Sequence, residues 1–390
     1  MTSTFSFGFS GDDIDVDDVE IGDTHQGDTL AAHNASGTPS LPELVPAKRH
    51  DMSEWLSILP SQITYNKFTI RPSQDTASGT QSSFASLTVA RRDVFDIRAQ
   101  LMAEDSAEEE NGELIAGLEK GDITPHFYEG GFKTWECSID LASLIADEGM
   151  GLEGEDMHIV ELGAGTAVPS LALFAKMLAQ TEADPAAIST SAHKKRRTLF
   201  TFADYNSAVL RLVTLPNLLL TWNHFATRRH LTPTPGSQTE NANKTDSQET
   251  EEEILDITPD LLTSFQTDIA NRGITISFIS GAWSPSFVDL VFSSAELAGF
   301  KSIVLASETI YSPGSLGAFS ETLLALLRRS AAGSRALIAA KKVYFGVGGG
   351  VDEFLVALRG VSGGGLRVEE RLDIKSAGVG RVILEIGVDN

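Results

Sequence analysis

The run "MHIVELGAGTAVPSLALFAKMLAQ", Met157 to Gln180, restricts the fold more than any other stretch. A short apolar segment stopped by glycines reads as a strand, and Val168, Leu171, Ala175 and Leu178 then share one side of a helix. Thr166 is placed to cap that helix and Pro169 suits its first turn. Strand, glycine turn and helix in this order open a mainly parallel α/β sheet.

The alternation continues. "TLFTFADYN" is a second strand ending in an acid, and "SAVLRLVTLPNLLL" a helix interrupted at Pro216. "ITISFIS", "FKSIVLASETIY" and "SRALIAAKKVYFGVGGG" are the third, fourth and fifth strands. "VDEFLVALRGV" is a helix, and "LRVEERLDI" with "GRVILEIGV" closes the chain as a strand hairpin. The expected fold class is therefore α/β, a Rossmann-like sheet with an antiparallel C-terminal hairpin. Residues 1–46, rich in Asp, Gly, Ser and Thr, are expected to be a disordered acidic tail. Residues 47–120 form an N-terminal appendage that includes the helix-like "RRDVFDIRAQLMAE", and 121–390 form the main domain. Insertions at about Thr181–Arg197 and about Arg228–Glu253 interrupt it, the second expected to be a disordered surface loop.

Net charge is −24 over 390 residues, and acidic runs such as "GDDIDVDDVEIGD" contain no basic residue. Such runs are either solvated or attract a strongly basic protein, and they disfavour direct nucleic-acid binding. One cysteine, Cys137, excludes a disulfide framework and a cysteine-rich metal site, so no metal is expected. No uncharged apolar run reaches the roughly 18 residues of a membrane span, and no signal peptide is recognisable at the start. A soluble monomer of cytoplasm and nucleus is expected; "HKKRR", His193 to Arg197, is either a nuclear address or a basic surface loop.

In such a sheet, ligands bind beyond the carboxyl ends of the strands. The first strand ends in Glu161, Gly163 and Gly165, which let a ligand approach the backbone and face the amides of the next helix. The dinucleotide fingerprint fails because Val168 stands at its third glycine, and the fifth strand lacks a phosphate-loop ending. Asp204, ending the second strand, either accepts hydrogen bonds from a ribose diol or caps the next helix. Trp283 and the "SETIY" residues Ser307, Glu308, Thr309 and Tyr311 offer aromatic faces and a carboxylate of the kind that stabilises a sulfonium cation, although each aromatic taken singly reads first as core packing.

In this order, "FKTWECSIDL", "VELGAGTAVPSLALF", "DYNSAVLRLVTLPN", "LASETIYSP" and "AAKKVYFGVGGGVDEF" resemble the seven-strand S-adenosylmethionine-dependent protein-histidine methyltransferases that act on a large-subunit ribosomal protein. Ala167 departs from the family's acid-x-G-x-G-x-G pattern by replacing its third glycine. The resemblance implies S-adenosylmethionine as cofactor, a histidine of a basic ribosomal protein as partner, and attack by the tele nitrogen. It implies that the segment before the first strand folds over the cofactor, so that Trp135 and Glu136 line its methionine end while Gly131 and Lys133 shape the entrance. Cys137 then has no chemical task and reads as a small buried thiol. The cofactor contacts expected are Trp135, Glu161, Gly163, Gly165, Asp204, Trp283 and Ser307. Glu308, Glu136, Asn206 and Tyr311 are the catalytic candidates, and Thr309, Tyr344 and Phe345 the substrate contacts. Imidazole is largely neutral near pH 7, so the site needs orientation more than a strong base. A lysine methyltransferase of the same fold, and a non-catalytic assembly factor for a basic ribosomal protein, are the competing expectations.

Overall fold

Strands that are apolar on both faces require cover on both sides, and the computed structural model provides it. It describes residues 44–71, 86–104, 130–148, 155–180, 196–230, 252–293, 297, 299–375 and 378–389. The strands are β1 (Lys48–His50), β2 (Gln62–Ile70), β3 (Leu87–Arg92), β4 (Met157–Leu162), β5 (Thr198–Asp204), β6 (Glu253–Asp256), β7 (Ile274–Ser280), β8 (Lys301–Ser307), β9 (Arg335–Lys341), β10 (Leu366–Ile374) and β11 (Arg381–Val388). The helices are α1 (Met52–Ser57), α2 (Val94–Ala103), α3 (Glu136–Glu148), α4 (Val168–Gln180), α5 (Ser207–Val209), α6 (Leu215–His230), α7 (Pro259–Asn271), α8 (Pro285–Val291), α9 (Leu316–Arg329) and α10 (Val351–Ser362).

Among the described residues, eight strands form one sheet in the order β1-β7-β5-β4-β8-β9-β11-β10. The five from β7 to β9 are parallel, and β11 runs antiparallel between β9 and β10. From β4 the chain steps outward to β5 and β7, then returns to β8 and β9 on the other side. The order thus reverses at β4, and a crevice at its carboxyl end is where such sheets bind ligands.

Alternation along β4 feeds two cores: Met157 and Ile159 join one, Val160 and Leu162 the other. In the first, Phe200 stacks on Phe202 at 6.0 Å and Phe202 on Phe278 at 5.7 Å, while Phe174 of α4 meets Phe200 edge-on at 6.0 Å. Helix α3 is tied across the hairpin by Arg381–Asp140 and Arg371–Glu148 ion pairs, each 2.6 Å. The Arg381–Asp140 pair fixes the end of α3 that carries Glu136 and Cys137, and the Arg371–Glu148 pair fixes the opposite end.

Three differences from the sequence reading have physical causes. The sheet gains β1 at its edge, antiparallel to β7, where "KRH" has no apolar alternation to signal it. Side chains hold it instead: Arg49 donates to Ser277 Oγ at 2.9 Å, and His50 shares a 2.7 Å hydrogen bond with Ser280 Oγ. Second, β2, β3 and β6 form a separate antiparallel sheet, in which β6 has only four residues and alternates half-buried with exposed positions. Third, the helix is not interrupted at Pro216. A π-helical turn, Leu210–Thr214, precedes it, and the Leu215 amide reaches back to Leu210 O. The wider turn gives the ring of Pro216, which has no amide hydrogen, room inside a continuous helix.

Residues 1–43 of the acidic tail and most of the two insertions lie outside the described residues, as do His193 to Lys195; residues 44–46, expected to belong to that tail, join the fold, with Ala282 N donating to Val45 O at 2.9 Å. Among the described residues, no helix is long and apolar enough to cross a membrane. Phe202 is wholly buried at the centre of the aromatic stack. Phe202→Ala is expected to lower unfolding free energy by about 3–5 kcal/mol, read from urea denaturation followed by circular dichroism.

Candidate active site

A turn that leaves a buried strand must satisfy its own amides and carbonyls. After β4, Gly163, Gly165 and Ala167 all take left-handed backbone, at φ 66, 50 and 57°. The first two are glycines, for which that region carries no Cβ penalty. Ala167 sits where the family pattern has its third glycine and keeps the glycine-like conformation, at a strain of about 1 kcal/mol. A Cβ on Gly163 would lie 2.6 Å from Thr309 Cγ2, so the ends of β4 and β8 meet there.

The turn's polar groups are engaged from several elements. Gly165 N donates to Asp204 Oδ2 at 3.1 Å, and Ala164 N to Ala203 O at 2.8 Å. Thr214 Oγ1 donates to Gly165 O at 2.7 Å and Asn217 Nδ2 to Thr166 O at 3.0 Å, both from buried side chains of the "TLPN" run. Asn217 Oδ1 also accepts from Arg92 N at 2.7 Å, which binds β3 to the same point. Thr166 does not cap α4; its hydroxyl pairs with Thr134 at 3.1 Å. The cap comes from β4, where Glu161 Oε2 accepts from Ser170 N at 3.1 Å. Likewise Asp204 is not the cap of α5, because Asn206 Oδ1 accepts from Ala208 N at 2.9 Å. Asp204 Oδ1 accepts from Asn206 N at 3.1 Å.

The segment 130–135 lies on this turn. A Cβ on Gly165 would stand 3.2 Å from Gly131 O, and one on Gly131 would strike Val209 Cγ1 at 2.7 Å. Trp135 Nε1 donates to Gly130 O at 3.0 Å, closing the segment on itself. Its indole carries the Lys341 ammonium 5.4 Å from the ring centroid. That ammonium is 3.3 Å from Glu136 Oε2 and 3.7 Å from Glu308 Oε1. The second distance is an ion pair without a hydrogen bond, and among the described residues Glu308 Oε1 is a buried atom with no hydrogen-bond partner.

Glu308 also has left-handed backbone, φ 56°, a conformation that costs a side chain of this type about 1–2 kcal/mol. Burial and the neighbouring Glu308 carboxylate push the Cys137 thiol and the Tyr344 hydroxyl far upward, so both stay neutral. Cys137 is fully buried and has no thiolate with which to act as a nucleophile.

One crevice therefore gathers Trp135, Glu136, Glu161, Gly163, Gly165, Asp204, Glu308, Thr309 and Tyr344. Ser307 is the last residue of β8 and Asn206 borders the turn through its amide. Tyr311 meets Tyr344 at a ring distance of 6.3 Å. Trp283 packs edge-on against Phe287 at 5.2 Å and Phe319 at 6.2 Å, contacts that belong to the second core. Phe345 is 79% exposed. Sequence reasoning passed over Lys341, Thr214 and Asn217. Lys341 had a signal, since it ends the apolar run "ALIAAK" at a strand's carboxyl end. Thr214 and Asn217 had none without the tertiary contact.

No family model matches the chain. Curated relatives do. Histidine protein methyltransferase 1 of Saccharomyces cerevisiae is 34% identical over 279 residues, covering 70% of this chain and 69% of that protein. The protein of the same name from Schizosaccharomyces pombe is 34% identical over 318 residues, covering 82% and 78%. The chain belongs to the histidine protein methyltransferase family. It is an S-adenosylmethionine-dependent protein-histidine methyltransferase. Among solved structures, the rRNA methyltransferase AviRa of Streptomyces viridochromogenes covers 72% of this chain and 94% of its own at 11% identity and a TM-score of 0.33, a likeness too slight to bear on fold or reaction.

The residues of this methyltransferase fit its cofactor. At Gly163 and Gly165 the left-handed turn carries no side chain over its backbone, and α4 begins directly after it. Asp204, held by two amides, is a carboxylate and can accept further hydrogen bonds from a ribose diol. Glu161 Oε1 is buried with no hydrogen-bond partner among the described residues.

Burial pushes the Glu161 carboxyl up to about 8, with Asp204 adding to the rise and Ser170 opposing it. A carboxyl raised from 4.5 to about 8 binds its proton more tightly in the folded chain. Its contribution to stability is then complete below about 4.5 and lost as pH rises through about 8. Thermal melting of the cofactor-free protein should decline across that window, and Glu161→Gln should flatten the decline; parallel curves would show that Glu161 does not titrate there. Gly163→Ala is expected to weaken cofactor binding at least tenfold by calorimetry, and Thr309→Ser, which removes Cγ2, to recover part of the loss.

Proposed function

We propose that this enzyme methylates the tele nitrogen of a histidine in a basic protein of the large ribosomal subunit. S-adenosylmethionine, when bound, supplies an electrophilic methyl group on a sulfonium. The chain's task is to present a neutral imidazole to it in line. With a reference pKa of about 6.5, imidazole needs no strong base near neutrality, so fixed geometry outweighs proton abstraction.

The observation that carries this reading is Glu308. Its carboxylate is buried, its backbone is strained, one oxygen has no hydrogen-bond partner among the described residues, and the next residue, Thr309, touches Gly163. A carboxylate so placed accepts the pros N–H of the substrate ring, selects the tautomer with its lone pair on the tele nitrogen, and stabilises the imidazolium that forms as the nitrogen–carbon bond replaces the sulfur–carbon bond. The pros proton then passes to Glu308 or to water. Tyr344 and Tyr311 stand beside this carboxylate as the wall of the substrate channel. Strained polar groups of this kind persist where function requires them.

The ribosomal partner is supported by charge. A chain of net charge −24 draws a basic protein toward it. The test supplies labelled methyl donor and large-subunit proteins from cells lacking the enzyme, then locates the label by mass spectrometry. Label on the tele nitrogen of one histidine is expected; label on lysine alone, or none, would overturn the reading. Glu308→Gln should lower kcat roughly 10²-fold, the order expected when a reacting group loses its orientation, with cofactor affinity unchanged. Wild-type kcat should rise as imidazole deprotonates and level off by about pH 8.

A further inference from the structure

An ammonium half-enclosed between two carboxylates and an indole face is costly to order unless it holds something in place. Lys341 ends β9, and the Glu308 amide donates to Ala339 O at 3.0 Å, so the two residues leave neighbouring parallel strands side by side. The Lys341 amide donates in turn to Tyr344 Oη at 3.2 Å, which holds the phenol next to the same carboxylate. Lys341 thus touches Glu308 on β8's exit, Glu136 and Trp135 at the start of α3, and Tyr344 on its own loop. Glu136 is 63% exposed at its side chain and Glu308 only 8%, so the lysine spans the wall from solvent to interior.

Surface ion pairs of this exposure contribute little to stability. The pair with Glu308 does something else. At 3.7 Å it attracts the carboxylate without occupying Oε1 by a hydrogen bond, and so leaves that oxygen able to accept from a substrate. We infer that Lys341 is a positioning residue for methyl transfer: seated on Trp135 and shared with Glu136, its ammonium keeps the Glu308 carboxylate aimed toward the substrate imidazole. The inference rests on the role given to Glu308 above. The groups facing Glu308 are Glu136 and Cys137 from α3, Lys341 from β9 and Tyr344 from the loop that follows. Cys137 and Tyr344 stay neutral, and Lys341 brings a cation within 3.7 Å of the carboxylate.

The test uses the full chain with large-subunit proteins from cells lacking the enzyme as methyl acceptor. Lys341→Gln is expected to lower kcat about 10- to 100-fold, with cofactor dissociation constant and acceptor KM within about twofold of wild type. Lys341→Arg should restore most of kcat. A Gln variant with wild-type kcat would overturn the inference, as would a loss confined to cofactor affinity. Should Lys341→Gln fail to fold by thermal melting, Lys341→Met and Glu136→Gln carry the same readouts, and wild-type kcat in both would overturn it. If the wild type labels lysine rather than histidine, the proposed function fails, whereas the Lys341 comparison is still read on whichever acceptor is modified.

Discussion

The left-handed turn after β4 is the constraint on which the rest of this molecule depends. Three of its residues, Gly163, Gly165 and Ala167, have positive φ, and the chain from Ala164 to Ala167 is buried. Each polar group needs a partner from elsewhere. Asp204 of β5 takes the Gly165 amide, Thr214 and Asn217 take the carbonyls of Gly165 and Thr166, and Thr134 takes the Thr166 hydroxyl. Three separate stretches of chain are thereby positioned by one turn. The π-helical turn ahead of Pro216 belongs to this arrangement, since it carries Thr214 at its end with Asn217 just beyond.

Two carboxylates flank the turn, and they solve different problems. Glu161 faces the α4 core side, where burial favours its neutral form and the Ser170 amide favours the charged one. Glu308 lies at the end of the adjacent strand β8 with a cation 3.7 Å away.

Much of this was legible in the sequence because it is local. The order of strands and helices follows from periods of two and 3.6 residues, and the turn from glycines at the end of an apolar run. The resemblance to histidine methyltransferases rested on short contiguous motifs, and the relatives bear it out. The reading failed where the determining interaction was not local. Pro216 was expected to break a helix, as its missing amide hydrogen implies, but a π turn makes room for it. Thr166 was expected to cap α4, yet Glu161, from the preceding strand, does so. Strand β1 carries no apolar pattern at all and is recruited by hydrogen bonds to β7 and the helix beside it.

By itself, then, the sequence determined the parallel sheet, the glycine turn and the acids at its strand ends, because backbone geometry and side-chain periodicity are properties of neighbouring residues. Only the tertiary structure decided what those acids do. Whether Asp204 caps a helix or clamps the turn, and whether Lys341 meets Glu136 and Glu308, depends on contacts between residues distant in sequence. Those contacts are set by strand register and by the ion pairs that seat α3, and no local pattern encodes either.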